Sequence, residues 1–200
     1  MAKMDFSPKM NALLDEVYRG LISSPELSSI LIYKGARVLK QLLLTTRYSE
    51  DIDATLRPEY TAHKTLEDQK QDLAALLSAA LQKHFEGADP VRYTLLQVDL
   101  RLRPTRDVPD NWRMFATFIH VRDAMAPAAD GLVAQIDISV GENLSDEAIA
   151  SITVDHHSIY VYSMSRIAGE KLRAFLSCLP AYRRKLQLTR TVERRAKDLL

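Results

Sequence analysis

The sequence predicts an α+β fold in which helices flank a mixed central sheet. Helical 3–4 spacing of apolar residues dominates both ends of the chain. Between them lie alternating, β-branched segments broken by Pro, Asp and Gly. Near residue 35, an apolar strand, a glycine turn, an amphipathic run and a second extended segment follow one another closely.

Residues 9 to 22 read as a first helix, with Leu13, Leu14, Val17, Tyr18 and Leu21 on one side. Ser28 to Tyr33 has the β-branched and aromatic content of a short buried strand. Lys34-Gly35-Ala36 then opens a run with Val38, Leu39, Leu42 and Leu43 at helical spacing. A longer helix over 63–85 carries Leu73, Leu76, Leu77, Ala80 and Leu81, and ends before Gly87 and Pro90. Extended segments at 91–102, 113–121 and 132–140 predict an antiparallel meander, with Trp112 a packing residue at a strand edge. After His157 the composition turns helical. Residues 163–177 form a helix that Ser163 or Ser165 can cap, with Ile167, Leu172, Phe175 and Leu176 as its stripe. The organisation expected is therefore a sheet domain over 1–157 and a C-terminal helical lobe over 158–200, with a cleft between them.

Composition bounds the class. At 200 residues, 46% hydrophobic and 26% charged, the chain is long enough for a sizeable core and ordinary for a globular protein. The single cysteine, Cys178, rules out an intramolecular disulfide and suits a reducing compartment; a structural thiol is the expected role. No apolar run approaches a membrane span, and the first residues lack a signal-peptide core, so a cytoplasmic location is expected. The net charge of +1 hides an asymmetry, because Arg183 to Leu200 alone carries +5. Such a segment suits a phosphate backbone and equally suits a solvated helix face. His156-His157 reads as a surface loop, and no Cys or His spacing marks a zinc site.

Asp51-Ile52-Asp53 carries the chemistry. In an extended strand, i and i+2 share a face, so the two carboxylates converge while Ile52 points to the core. A divalent cation relieves their repulsion, and Mg²⁺ suits hard oxygen donors that share its shell with substrate phosphates. Gly35, at a strand-to-helix junction, lets backbone N–H groups approach a phosphate at a helix N-terminus. A phosphoryl transfer that uses two ions needs a third carboxylate. Asp137, in the alternating segment 132–140, is the candidate; Asp99 has the same local pattern, and spacing does not decide between them.

Lys34-Gly35-Ala36 followed by Arg47-Tyr48-Ser49-Glu50-Asp51-Ile52-Asp53 resembles the motif that opens the AbiEii/AbiGii family of nucleotidyltransferase-like toxins, in the DNA polymerase β superfamily. Tyr160-Val161-Tyr162-Ser163 leading into Gly169-Glu170-Lys171-Leu172-Arg173-Ala174 resembles its second motif, and Arg194 to Leu200 the start of its next. The resemblance implies a mixed central sheet of the nucleotidyltransferase type. It assigns the phosphate-side turn to Gly35 and Ala36 beside Lys34, and metal ligation to Asp51 and Asp53. Asp137 would be the third acid, Ser49 a substrate contact, Lys171 a phosphate contact and Asp198 a supporting polar residue in the cleft. Ala36 replaces the family's usual Gly or Ser, which leaves only a backbone N–H there. The family pattern continues past the point where Leu200 falls, so the C-terminal lobe is expected to be incomplete.

What the resemblance implies functionally is Mg²⁺-dependent transfer of NMP from an NTP to an RNA, the 3′ end of tRNA foremost, by the toxin of a toxin–antitoxin pair. Its partners would be the nucleotide, the RNA acceptor and an antitoxin protein, with no membrane involved. The alternatives are a catalytically idle nucleotide-binding regulatory domain and a protein nucleotidyltransferase.

Overall fold

The computed structural model describes residues 8–43, 51–126 and 131–179. Helix α1 (Pro8–Ser23) and a short α2 (Pro25–Ile30) lead into strand β1 (Leu31–Lys34) and helix α3 (Gly35–Leu43). β2 (Ile52–Leu56), α4 (Pro58–Thr61) and the long α5 (Leu66–Glu86) follow. The meander is β3 (Tyr93–Arg103), β4 (Met114–Asp123) and β5 (Leu132–Ser139); β6 (Ile149–Val154), β7 (His157–Tyr162) and α6 (Met164–Leu176) complete the described chain.

The strands form one seven-stranded sheet in the order β3-β4-β5-β2-β1-β7-β6. The meander is antiparallel as expected. The sheet is mixed because β2 runs parallel to β5, and β1 runs parallel to β7. β1 and β2, which carry Lys34 and the Asp53 of the Asp-x-Asp pair, therefore lie at its centre.

Most of the core lies on one face of the sheet, though Ile32, Thr55 and Tyr162 are buried on the other. Ile52, Ala54, Leu100, Phe115, Ile119, Ile136, Ile138, Ile159 and Val161 are all buried on the first face with Leu31 and Tyr33. Helix α5 presents Leu73, Leu77, Leu81 and Phe85 at four-residue spacing, and α1 presents Leu13, Leu14, Val17 and Leu21; all are buried. Thr65 and Asp68 close a reciprocal capping box that fixes where α5 starts. On the other face β3 to β5 carry Gln97, Arg101, Arg103, Arg122 and Gln135, all exposed.

Three expectations are corrected. Residues 28–30 belong to α2 rather than to the strand, because Ser24 accepts from the Leu27 N–H at 3.3 Å and Pro25 occupies the first helical turn. The composition change after His157 does not mark the sheet's end: His157–Tyr162 is β7, paired with β6 through a two-residue turn at Asp155 and His156. Trp112 does not pack at a strand edge; it stands 67% exposed in a 3₁₀ turn before β4. Ser163, not Ser165, caps α6, accepting from the Arg166 N–H. Cys178 is half-buried, its thiol directed at the Ala174 carbonyl.

Candidate active site

Strand register assembles the site. In the antiparallel β1–β2 pair Lys34 stands opposite Asp53, and in the parallel β2–β5 pair Asp53 stands opposite Asp137. Lys34, Asp53 and Asp137 thus form a row across three central strands, on the face away from the core. Ala116 and Arg101 continue that row outward through β4 and β3. Asp99 is on the same face but opposite Phe118 and Gln135, three strands from β2, and its carboxylate is engaged by Arg101 at 2.7 Å. At about 4.8 Å per strand it is too far to share an ion with Asp53, whereas Asp137 is the direct neighbour of Asp53 in register.

Gly35 touches this row directly. Its φ of +78° is strained for any side chain, and a Cβ there would collide with the Asp53 carboxylate. The turn that starts α3 and the second aspartate of the motif are therefore in contact. Ala36, half-buried, follows in the first turn of α3. Asp51 is exposed, at the bend just before β2.

The charges are concentrated here. Burial, and next the charge of Asp51, push the Asp53 carboxyl up to about 6 against the pull of Lys34, with Asp137 and Glu170 adding to the rise. Burial also raises Asp137; Asp51 adds to that, while the hydrogen bond from Gln135 at 3.0 Å and the charge of Lys34 oppose it. Asp53 and Asp137 each feel Asp51, which makes the three a coupled set whose mutual repulsion a cation would relieve.

Helix α6 approaches the row through Arg166, which pairs with Glu142, and through Glu170. Glu170 lies near enough for its charge to reach Asp53. Lys171 is the next residue, half-buried and one turn beyond the buried Ile167. Ser49 and Asp198 lie outside the described residues, as do Arg47, Tyr48, Glu50 and the basic segment from Arg183 to Leu200.

A second group of residues at this site had no strong signal in the sequence. The Lys34 ammonium donates to Ser139 Oγ at 2.8 Å and to Glu142 Oε1 at 2.5 Å. The other Glu142 oxygen accepts from the Tyr162 hydroxyl and from Arg166 at 3.3 Å. Burial raises Glu142, but Lys34 and the hydrogen-bond donors outweigh it and hold the carboxyl below its ordinary range. Only the Gly141-Glu142 turn after a predicted strand hinted that this residue sits at the strand end.

Whether this donor set suits Mg²⁺ follows from its geometry. Among the described residues, no three His, Cys, Asp or Glu side chains form a ready-made metal cage. Mg²⁺ does not demand one, since one or two carboxylates with water and substrate phosphates suffice. Neighbouring Asp53 and Asp137, with Asp51 close enough for its charge to reach both, fit that requirement.

A family model described as nucleotidyl transferase AbiEii toxin, type IV TA system, matches residues 18–200. Among solved structures, JHP933 from Helicobacter pylori superposes with a TM-score of 0.54 at 14% identity, covering 96% of this chain and 64% of its own. A candidate nucleotidyltransferase from H. pylori superposes with a TM-score of 0.52 at 13% identity, covering 98% and 66% respectively. The chain thus spans a little under two thirds of the length of these structures, and at such identities the likeness concerns the fold. No match was found among curated proteins.

Proposed function

This chain belongs to the AbiEii family of nucleotidyl transferase toxins of type IV toxin–antitoxin systems, and from that premise we propose that it transfers an NMP from an NTP to the 3′ end of an RNA such as tRNA. The observation that carries the reading is the register of Asp53 beside Asp137 with Gly35 against Asp53. Asp51, Asp53 and Asp137 would hold Mg²⁺, which supplies charge neutralisation at the phosphates and acidifies the attacking hydroxyl.

The chain's own residues divide the remaining work. Backbone N–H groups of Gly35 and Ala36, at the N-terminus of α3, face the β- and γ-phosphates. Lys171 offsets charge that develops on the phosphates, and Ser49 and Asp198 are assigned the substrate-contact and supporting roles that the motif implies. Asp137, opposite Asp53 in register, is assigned the proton of the acceptor hydroxyl. That oxygen bonds to the α-phosphorus, the α–β anhydride bond breaks, and pyrophosphate departs between the sheet and the C-terminal helical segment. The basic residues from Arg183 onward suit the RNA backbone. An antitoxin partner and growth inhibition complete the biological reading; among the described residues no helix is long and apolar enough to cross a membrane.

Incubation with each α-labelled NTP, Mg²⁺ and total RNA tests this. Label should enter RNA, disappear with EDTA, and fall by at least about 10²-fold in Asp53→Asn. Label on protein instead of RNA would identify a protein nucleotidyltransferase. NTP binding without product would identify an idle nucleotide-binding domain.

A further inference from the structure

Lys34 and Asp53 are direct cross-strand neighbours. Side chains so paired have Cβ atoms about 4.5–5.5 Å apart, and a lysine stem is long enough to bring its ammonium onto the opposing carboxylate. The ammonium instead turns along β5, to Ser139 Oγ and to Glu142. Its ion pair is with Glu142, and both side chains are only 14% exposed.

Glu142 is itself held from two further elements. The Tyr162 hydroxyl, from the end of β7, and Arg166, from the first turn of α6, donate to the oxygen that Lys34 does not use. Arg166 also pairs with Glu170 at 3.3 Å, and both Lys34 and Arg166 lie over the Tyr162 ring, at 5.5 and 5.3 Å. Gly141, with a φ of +64°, makes the turn that aims Glu142 back at this group.

We propose that Glu142 is a positioning residue that withholds the Lys34 ammonium from Asp53, and so keeps that carboxylate open to a divalent cation, with Tyr162 and Arg166 fixing Glu142 in place. The proposal rests on the metal-ligand reading of Asp53 above. Its physical basis is competition. A buried ammonium that loses its carboxylate partner keeps a large desolvation penalty until it finds another. With Glu142 neutralised, the nearest partner in register is Asp53. A lysine paired there occupies the same oxygens that the cation needs and adds like-charge repulsion against it.

The prediction is therefore specific to a pair of residues. Mn²⁺ is the probe, titrated by electron paramagnetic resonance without nucleotide, so that no turnover enters the readout. Glu142→Gln should weaken Mn²⁺ binding about tenfold while the far-UV circular dichroism stays native. Adding Lys34→Met to that variant should restore binding to within about threefold of wild type, because the competing ammonium is gone. A purely structural role for Glu142 would instead make the double variant as weak as the single one, or weaker.

Should Glu142→Gln not fold, Tyr162→Phe serves. It removes one donor from Glu142 but keeps the ring, and should weaken Mn²⁺ binding about threefold, again reversed by Lys34→Met. Asp53→Asn separates the two readings. Loss of Mn²⁺ in Asp53→Asn with none in Glu142→Gln or Tyr162→Phe, or a loss that Lys34→Met does not reverse, overturns the role of Glu142 and leaves the metal reading intact. Binding that is the same in wild type and Asp53→Asn, or absent from both without nucleotide and again with a non-hydrolysable NTP, overturns the metal reading and the proposal with it.

Discussion

Single residues decide whether the site exists. Gly35 combines a left-handed backbone with contact to the Asp53 carboxylate. Gly35→Ala must therefore shift either α3 or Asp53. A cost of about 1–3 kcal/mol is expected in urea denaturation, together with loss of Mn²⁺ binding, since the displaced group is the proposed ligand. Asp53 presents the opposite case, a residue that the fold tolerates at a cost. Its carboxyl sits at about 6 in the folded protein against an ordinary 3.8. The folded state thus binds more protons than the unfolded one between those values, and stability falls as pH rises through that window. Asp53→Asn removes the penalty. Without metal it should be more stable than wild type above pH 6, by up to about 3 kcal/mol, and the advantage should shrink towards pH 4. A melting-temperature difference that is flat across pH 4 to 7 contradicts this. The Asp51-x-Asp53 pair and Gly35 were legible because strand periodicity and turn chemistry are local. Asp137 and Asp99 were indistinguishable because each is a polar position in an alternating strand, and only the β2–β5 register separates them. Glu142 was missed since its partners come from positions 34, 162 and 166.

At the scale of elements, helices with strong stripes were readable and short or hairpin elements were not. α1 and α5 carry apolar residues three and four apart, which settles both type and face; α6 is a helix as its spacing predicts, but of its expected stripe Leu172 stands 54% exposed and only Ile167 is buried, so the spacing settled its type and not its face. α2 is a single capped turn whose Leu27 and Ile30 look equally strand-like in sequence. The β6–β7 hairpin was missed because its turn lacks the usual Asn-Gly pair. Asp155 and His156 both have positive φ, at 46° and 68°, as a type I′ turn requires. Among the described residues Asp155 makes only an exposed 3.8 Å ion pair with Arg19, which is worth little. The double substitution Asp155→Asn with His156→Gly should consequently relieve backbone strain and stabilise the protein by about 1 kcal/mol. The melting temperature should rise by about 2–4 °C; a fall would mean that this turn is not of that type.

Across the whole molecule, the sheet order explains why the site lies where it does. Parallel pairing of β2 with β5 and of β1 with β7 brings residues from 34, 53, 137 and 162 together on one face of the sheet, opposite the face that packs on α1 and α5. Alternation predicted a meander, and the family resemblance predicted a mixed sheet, but neither specifies which strands become neighbours across a hundred residues. The central position links ligand binding to global stability. Asp53 and Asp137 are raised by burial and by like charge, so a cation held there, as proposed, would stabilise the same strands that the carboxylates' burial and repulsion destabilise. A metal–nucleotide complex binding only the folded state stabilises it by about 2.7 kcal/mol at a hundred times its dissociation constant. For a chain of this size that corresponds to a melting-temperature rise of about 5–10 °C. Mg²⁺ with a non-hydrolysable NTP should produce this shift in wild type. Asp53→Asn and Asp137→Asn should melt at nearly the same temperature with or without it, and Asp99→Asn should shift as wild type does. An Asp99 variant that loses the shift while Asp137→Asn keeps it would transfer the third-carboxylate role to the outer strand.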